Sequence, residues 1–179
     1  MAEPAAEVAE VVLRPGTSAD IPGLRALGEA VVPPTYGPID AAYAQRMLDE
    51  WWTPEVFAKS LERNVHVVAE VDGQLVAVAN LGRVSASYRD FPHVEGDREV
   101  MWKLYVHPDH QGAGIGRRLL GEIEALVEGD ELWLEVVDGN EQAFAFYRAH
   151  GFAEVERAPG DEWPDDIWMR KDLRGGSGR

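Results

Sequence analysis

The 179-residue chain carries 32 acidic against 17 basic side chains, a net charge of −15, within an ordinary 45% hydrophobic composition. A field of that sign opposes nucleic acid and anionic membrane surfaces, and no apolar run is long enough to cross a bilayer. Cysteine is absent, which excludes disulfides, thiolate metal sites and a cysteine nucleophile. The acidity would also concentrate cationic ligands, although solubility alone accounts for scattered carboxylates. Size and composition suit one domain, expected over residues 8–172, with residues 1–7 and 173–179 as flexible termini. The N-terminus lacks a basic-then-apolar signal pattern, so the cytoplasm is the simplest location.

Residues 7–14 alternate and predict a first strand, closed by Pro15-Gly16. Thr17, Ser18 and Asp20 offer capping oxygens, and Ile21, Leu24, Leu27 and Val31 follow at helical spacing. The proline-rich residues 33–38 are expected to break that helix. A second helix is expected from Ile39 to about Trp51. A third starts at Thr53-Pro54, with Thr as cap and Pro in the first turn. Two strands, residues 65–71 and 74–80, flank Asp72-Gly73, the strongest short-range hairpin signal. Residues 85–97 read as a polar loop, and residues 99–106 as the next strand.

That strand stops at Pro108, and a turn leads through Gln111, Gly112, Ala113, Gly114, Ile115, Gly116 and Arg117 into a helix whose apolar face is Ile115, Leu119, Leu120, Ile123 and Leu126. Alternating glycines permit dihedrals that a Cβ forbids and leave backbone N–H groups uncovered. The first turn of a helix has unpaired donors and the positive end of the dipole. The junction is therefore suited to an anion, most plausibly a phosphate. It is not a Walker A loop, since no Gly-Lys-Ser/Thr follows, and the glycine spacing does not fit the dinucleotide fingerprint.

Residues 131–137 form a nearly continuous apolar run, expected as a buried strand. Asn140 is placed to cap a short helix carrying Ala143, Phe144, Phe146 and Tyr147, which Gly151 ends. Residues 152–157 and 167–171 read as a closing strand pair around a loop of residues 158–166. The sum is a mixed α/β sheet of about seven strands with helices on both faces.

Two motifs carry a resemblance. Gln111, Gly114 and Gly116 fit Gln-x-x-Gly-x-Gly. Asn140, Ala143, Phe146-Tyr147 and Gly151-Phe152 fit Asn-x-x-Ala-x-x-Phe-Tyr-x-x-x-Gly-Phe. Together, and in this order, they resemble the GNAT superfamily of N-acetyltransferases over almost the whole chain. The resemblance implies a splay between the fourth and fifth strands, with acetyl-CoA as cosubstrate. Its pantetheine would lie along Leu104, Tyr105 and Val106. Its pyrophosphate would sit on the backbone from Gln111 to Arg117, with Asn140 and Ala143 nearby.

The implied reaction is direct attack of a primary amine, from a small molecule or a peptide, on the thioester. It needs a base, donors for developing negative charge and an acid for the thiolate. Tyr147 matches the family position for the acid, although aromatics at helical spacing also simply pack. Glu99, near the start of the central strand, is the expected base, with Glu135 on the next strand as a second candidate. Tyr36, Glu135 and Trp163 are expected at the acceptor site. His107 and His110 read as turn residues rather than metal ligands, so no metal is expected. A homodimer is possible, and a non-catalytic acyl-CoA-binding or sensing module is the alternative.

Overall fold

The computed structural model describes residues 10–84 and 97–174. The loop expected over residues 85–97 falls, apart from Asp97, outside the described residues, as do most of the two expected flexible ends. Among the described residues, seven strands form one sheet in the order β1-β2-β3-β4-β5-β7-β6. They are β1 (Val11–Pro15), β2 (Val65–Val71), β3 (Gln74–Val84), β4 (Arg98–Val106), β5 (Glu131–Val137), β6 (Ala153–Ala158) and β7 (Asp166–Asp172). Every neighbouring pair is antiparallel except β4 and β5, which run parallel and meet at a single register pair, Val100↔Trp133. Beyond that pair the two strands part, and their backbones towards Val106 and Val137 lose each other as partners. This is the expected splay.

Helices α1 (Ile21–Tyr36), α2 (Ala41–Glu50) and α3 (Pro54–Arg63) cover one face, and α4 (Ile115–Leu126) and α5 (Glu141–Ala149) the other. Alternation along β5 shows the division. Leu132, Leu134 and Val136 join the α4–α5 core, whereas Val137 joins the α1–α3 core and Trp133 a smaller cluster with Trp168 and Val100. Caps follow the sequence. Asp40 accepts from Tyr43 N at 2.9 Å and Thr53 from Val56 N at 3.3 Å.

One expectation fails. Pro33 and Pro34 do not break the first helix, which runs through them to Tyr36 and closes with Gly37 N donating to Pro33 O at 2.9 Å. Both proline rings are exposed, so water reaches the carbonyls that the missing N–H groups leave unpaired, while Val31, Val32 and Tyr36 on the buried side keep the helix turning. The helix thereby carries Tyr36 to the edge of the splay. It also lies unusually close to its neighbours. A Cβ on Gly28 would stand 2.3 Å from the fully buried ring of Trp52, so only glycine fits.

Candidate active site

The parted strands open a cleft of about 400 Å³ that runs from Val31 and Thr35 on α1, past Trp102, Leu104 and Tyr105, to the turn before α4. Its far end is the glycine turn. Gly112 and Gly114 have φ of +78° and +79°, and Gly114 is the N-cap of α4. Nothing lies within 4 Å of a Cβ at either position, so it is the left-handed backbone, not crowding, that requires glycine. Gly116 faces Leu104, Val106 and Phe146 across the cleft mouth. Gly112, Gly114, Ile115, Gly116 and Arg117 all line the cleft, whereas Ala113 is exposed outside it. Gln111 also reaches the cleft, but its side chain donates to Val106 O at 3.0 Å and so ties the turn to the end of β4. The donors left for an anion are the backbone N–H groups of the first turn of α4, beside the exposed Arg117. Arg118 is engaged elsewhere, on Val11 O at 3.2 Å.

The walls are Leu104, Tyr105 and Val106 on one side and Val136, Asn140, Ala143 and Tyr147 on the other. Asn140 caps α5, accepting from Ala143 N at 3.2 Å. Tyr147 satisfies both readings of its motif. Its ring packs edge-on against Phe146 and Phe152 in the core, and the residue still lines the cleft. Burial pushes its phenol well above the ordinary range, so it stays protonated throughout the neutral region.

At the near end, Tyr36 and Tyr105 share a 2.8 Å hydroxyl–hydroxyl hydrogen bond, and burial raises both phenols. Glu135 lines the cleft beside them and is exposed to it. It points to the α1–α3 face, by alternation with Trp133 and Val137, whereas Tyr147 arrives from the α4–α5 face. A carboxylate and a protonated phenol thus meet the gap from opposite sides of the sheet. Trp163 lies one layer back. It stacks under the Arg46 guanidinium at 3.6 Å and contacts Tyr43 and Trp51, and Tyr43 in turn packs on Tyr36. It stands behind Tyr43 and does not line the cleft.

Glu99 is not in the cleft. It sits seven residues before Val106, roughly 23 Å along an extended strand, at the other end of β4. There its carboxylate accepts from Glu128 N at 3.1 Å and Gly129 N at 2.7 Å, with Arg83 3.7 Å away. These bonds anchor the loop before β5, at the edge of a separate polar hollow of about 540 Å³. Of the two carboxylates considered from the sequence, Glu99 on β4 lies away from the cleft and the second candidate, Glu135 on β5, lines it. Sequence reasoning also passed over Lys103, which lies on the α1–α3 face of β4. Only its place in the alternation, next to Tyr105, could have drawn notice. Among the described residues no group of side chains is arranged to hold a metal ion.

Parallel strands parted beside an anion-ready helix terminus, with a carboxylate and a protonated phenol facing the gap, form a cleft open to a phosphate-bearing ligand. The profile of the acetyltransferase (GNAT) family matches residues 26–152, and the chain belongs to that family. N-alpha-acetyltransferase RimI of Mycobacterium tuberculosis is 34% identical over 134 residues, covering 69% of this chain and 80% of that protein. The [ribosomal protein bS18]-alanine N-acetyltransferase of Escherichia coli is 31% identical over 111 residues, or 58% of this chain and 66% of that one. Among solved structures, PaiA N-acetyltransferase of Thermoplasma acidophilum in complex with coenzyme A superposes with a TM-score of 0.75 at 20% identity, over 91% of this chain and 99% of that one, a likeness of fold. The enzyme is an N-acetyltransferase that takes acetyl-CoA as cosubstrate and an amine as acceptor. The uncovered glycine turn and the open β4 edge suit the phosphate and the extended arm of that cosubstrate.

Proposed function

We propose that the acceptor is the α-amine at the N-terminus of a peptide or protein, acetylated by direct transfer while both substrates share the cleft. The observation that carries this reading is the pairing of Glu135 and Tyr147 across one gap whose far end is the glycine turn. Backbone N–H groups of residues 114–117 hold the pyrophosphate, and residues 104–106 lay out the pantetheine along β4. Glu135 removes the proton from the incoming ammonium, directly or through a water, and leaves a nucleophilic amine. Tyr147, kept protonated by burial, holds a proton for the departing sulfur. No cysteine exists to carry the acetyl group, which supports transfer in a single step. The near end of the cleft is aromatic with one carboxylate among its described lining residues, a setting for an ammonium. The N-terminal specificity in the names of two relatives points the same way. We place the reaction in the cytoplasm.

The test is a thiol-release assay with acetyl-CoA over peptides differing in their first residue and over free small amines, with mass spectrometry locating the added acetyl group. Modification of the first residue's α-amine supports the proposal. Turnover on small amines or lysine side chains alone overturns it. A thermal-shift titration with CoA, acetyl-CoA and ATP accompanies it, and only the first two should stabilise.

A further inference from the structure

Trp163 belongs to the loop of residues 159–165 between β6 and β7, yet its ring packs with the α1–α3 core. The base of the loop is fixed to the turn before α5. Asp138 N donates to Asp165 O at 2.7 Å, and the Arg157 guanidinium donates to the Asp138 carboxylate at 3.0 Å. The tip is held on α2. There the Arg46 guanidinium lies 3.6 Å from the centre of the Trp163 ring, kept over it by a 2.7 Å salt bridge to Glu50 one turn along. From Trp163 the ring contacts run inward. Trp163 meets Tyr43 at 5.6 Å, Tyr43 meets Tyr36 at 5.7 Å, and the Tyr36 hydroxyl bonds that of Tyr105 at 2.8 Å beside the cleft. Tyr36 needs this support. Pro33 and Pro34 remove two rungs from the helix end that carries it, so side-chain packing decides where its hydroxyl stands.

We propose that Trp163 is a positioning residue for the acceptor: stacked under Arg46 and packed on Tyr43, it ties the β6–β7 loop to α2 and so holds the Tyr36 hydroxyl at the near end of the cleft. This rests on the reading of that end as the acceptor's. An indole stacks under a guanidinium and packs edgewise on a phenol at once, which an aliphatic side chain of equal bulk does not do. The phosphate end is built separately, on the glycine turn and the start of α4, so the sites of the two substrates respond separately to substitution. Loss of the Trp163 ring frees one side of Tyr43, lets Tyr36 move, and weakens the hold on the acceptor while leaving that on CoA.

The chain has five tyrosines, so ζ-carbon labelling gives a short NMR spectrum that Y36F, Y43F and Y147F assign. With no substrate present, W163A should move the Tyr36 line as well as that of Tyr43. The Tyr147 line should stay, since that ring packs with Phe146 and Phe152. W163F should return the lines towards their wild-type positions. An unmoved Tyr36 line overturns the proposal. In turnover, W163A should raise KM for the acceptor roughly 10-fold or more, with kcat within about threefold and the Kd for CoA unchanged. In a Y36F background W163A should add less than about twofold, because its effect passes through a hydroxyl already removed. Fully additive losses, or an equal loss of CoA affinity, overturn the proposal. If only small amines are turned over, the N-terminal reading fails, while the tyrosine spectrum and the double-mutant cycle on such an amine still decide this one. Should W163A not fold, R46L, at an exposed position, takes its place: it should move the Tyr36 line in the same direction by less, and an unmoved line overturns the proposal.

Discussion

Replacing Glu99 and Glu135 by glutamine, one at a time, separates a carboxylate that builds the fold from one that does chemistry. The Glu99 side chain is 11% exposed and accepts backbone N–H groups of Glu128 and Gly129. A charged acceptor in such bonds contributes about 1.5–3 kcal/mol. Glutamine keeps one oxygen but turns an NH₂ towards donors, so most of that range is lost. For a chain of this size the loss corresponds to a fall in Tm of roughly 3–12 °C. Turnover on E99Q should stay within about twofold, since the substitution lies at the far end of β4 from the cleft. E135Q should do the reverse. The residue is exposed, so Tm should hold within a degree or two, while loss of a general base lowers kcat by roughly 10²–10⁴. Differential scanning calorimetry and initial rates on the same preparations supply both numbers. The reasoning is refuted if E99Q abolishes turnover with its fold intact, or if E135Q is as active as the wild type.

Three further outcomes follow from the geometry. Y147F keeps the packed ring and removes only the hydroxyl, so kcat should fall by about 10² or more with the Kd for CoA unchanged by calorimetric titration; undiminished kcat would remove Tyr147 as the acid. G28A drives a Cβ into the Trp52 ring at 2.3 Å and should cost about 1–3 kcal/mol in denaturant unfolding, and a neutral result would mean α1 can shift away from Trp52. Asp20 is held at about 2, chiefly by hydrogen bonds from Arg14, against an unfolded value near 3.9. Its stabilisation is complete above about pH 5 and disappears as pH falls through 4 towards 2. It amounts to about 1–2 kcal/mol after allowing for the partly exposed Arg14. D20N should flatten the acid side of the stability profile by that much, and an unchanged profile would show that the pair contributes nothing.

Local chemistry wrote much of this protein directly into the chain. Asp72-Gly73 dictated the β2–β3 hairpin and Asn140 the start of α5. The alternating glycines dictated an anion-ready turn, because positive φ and bare N–H groups are properties of a few consecutive residues. The resemblance of two motifs then carried the fold class and the cosubstrate. Other features had no local signal. That α1 survives Pro33 and Pro34 depends on which side of the helix meets solvent, and that is set by the sheet beneath it. Which carboxylate of β4 and β5 reaches the cleft depends on strand direction and on where two parallel strands part, so Glu99 and Glu135 look alike in sequence and have opposite duties in space. Lys103 acquires its setting from Trp52 and Phe57, some fifty residues earlier, and from a strand irregularity that sets it on their face of the sheet. Residue type and short-range spacing determined the elements and the phosphate end; the acceptor end, built from side chains distant in sequence, was decided only when the sheet was assembled.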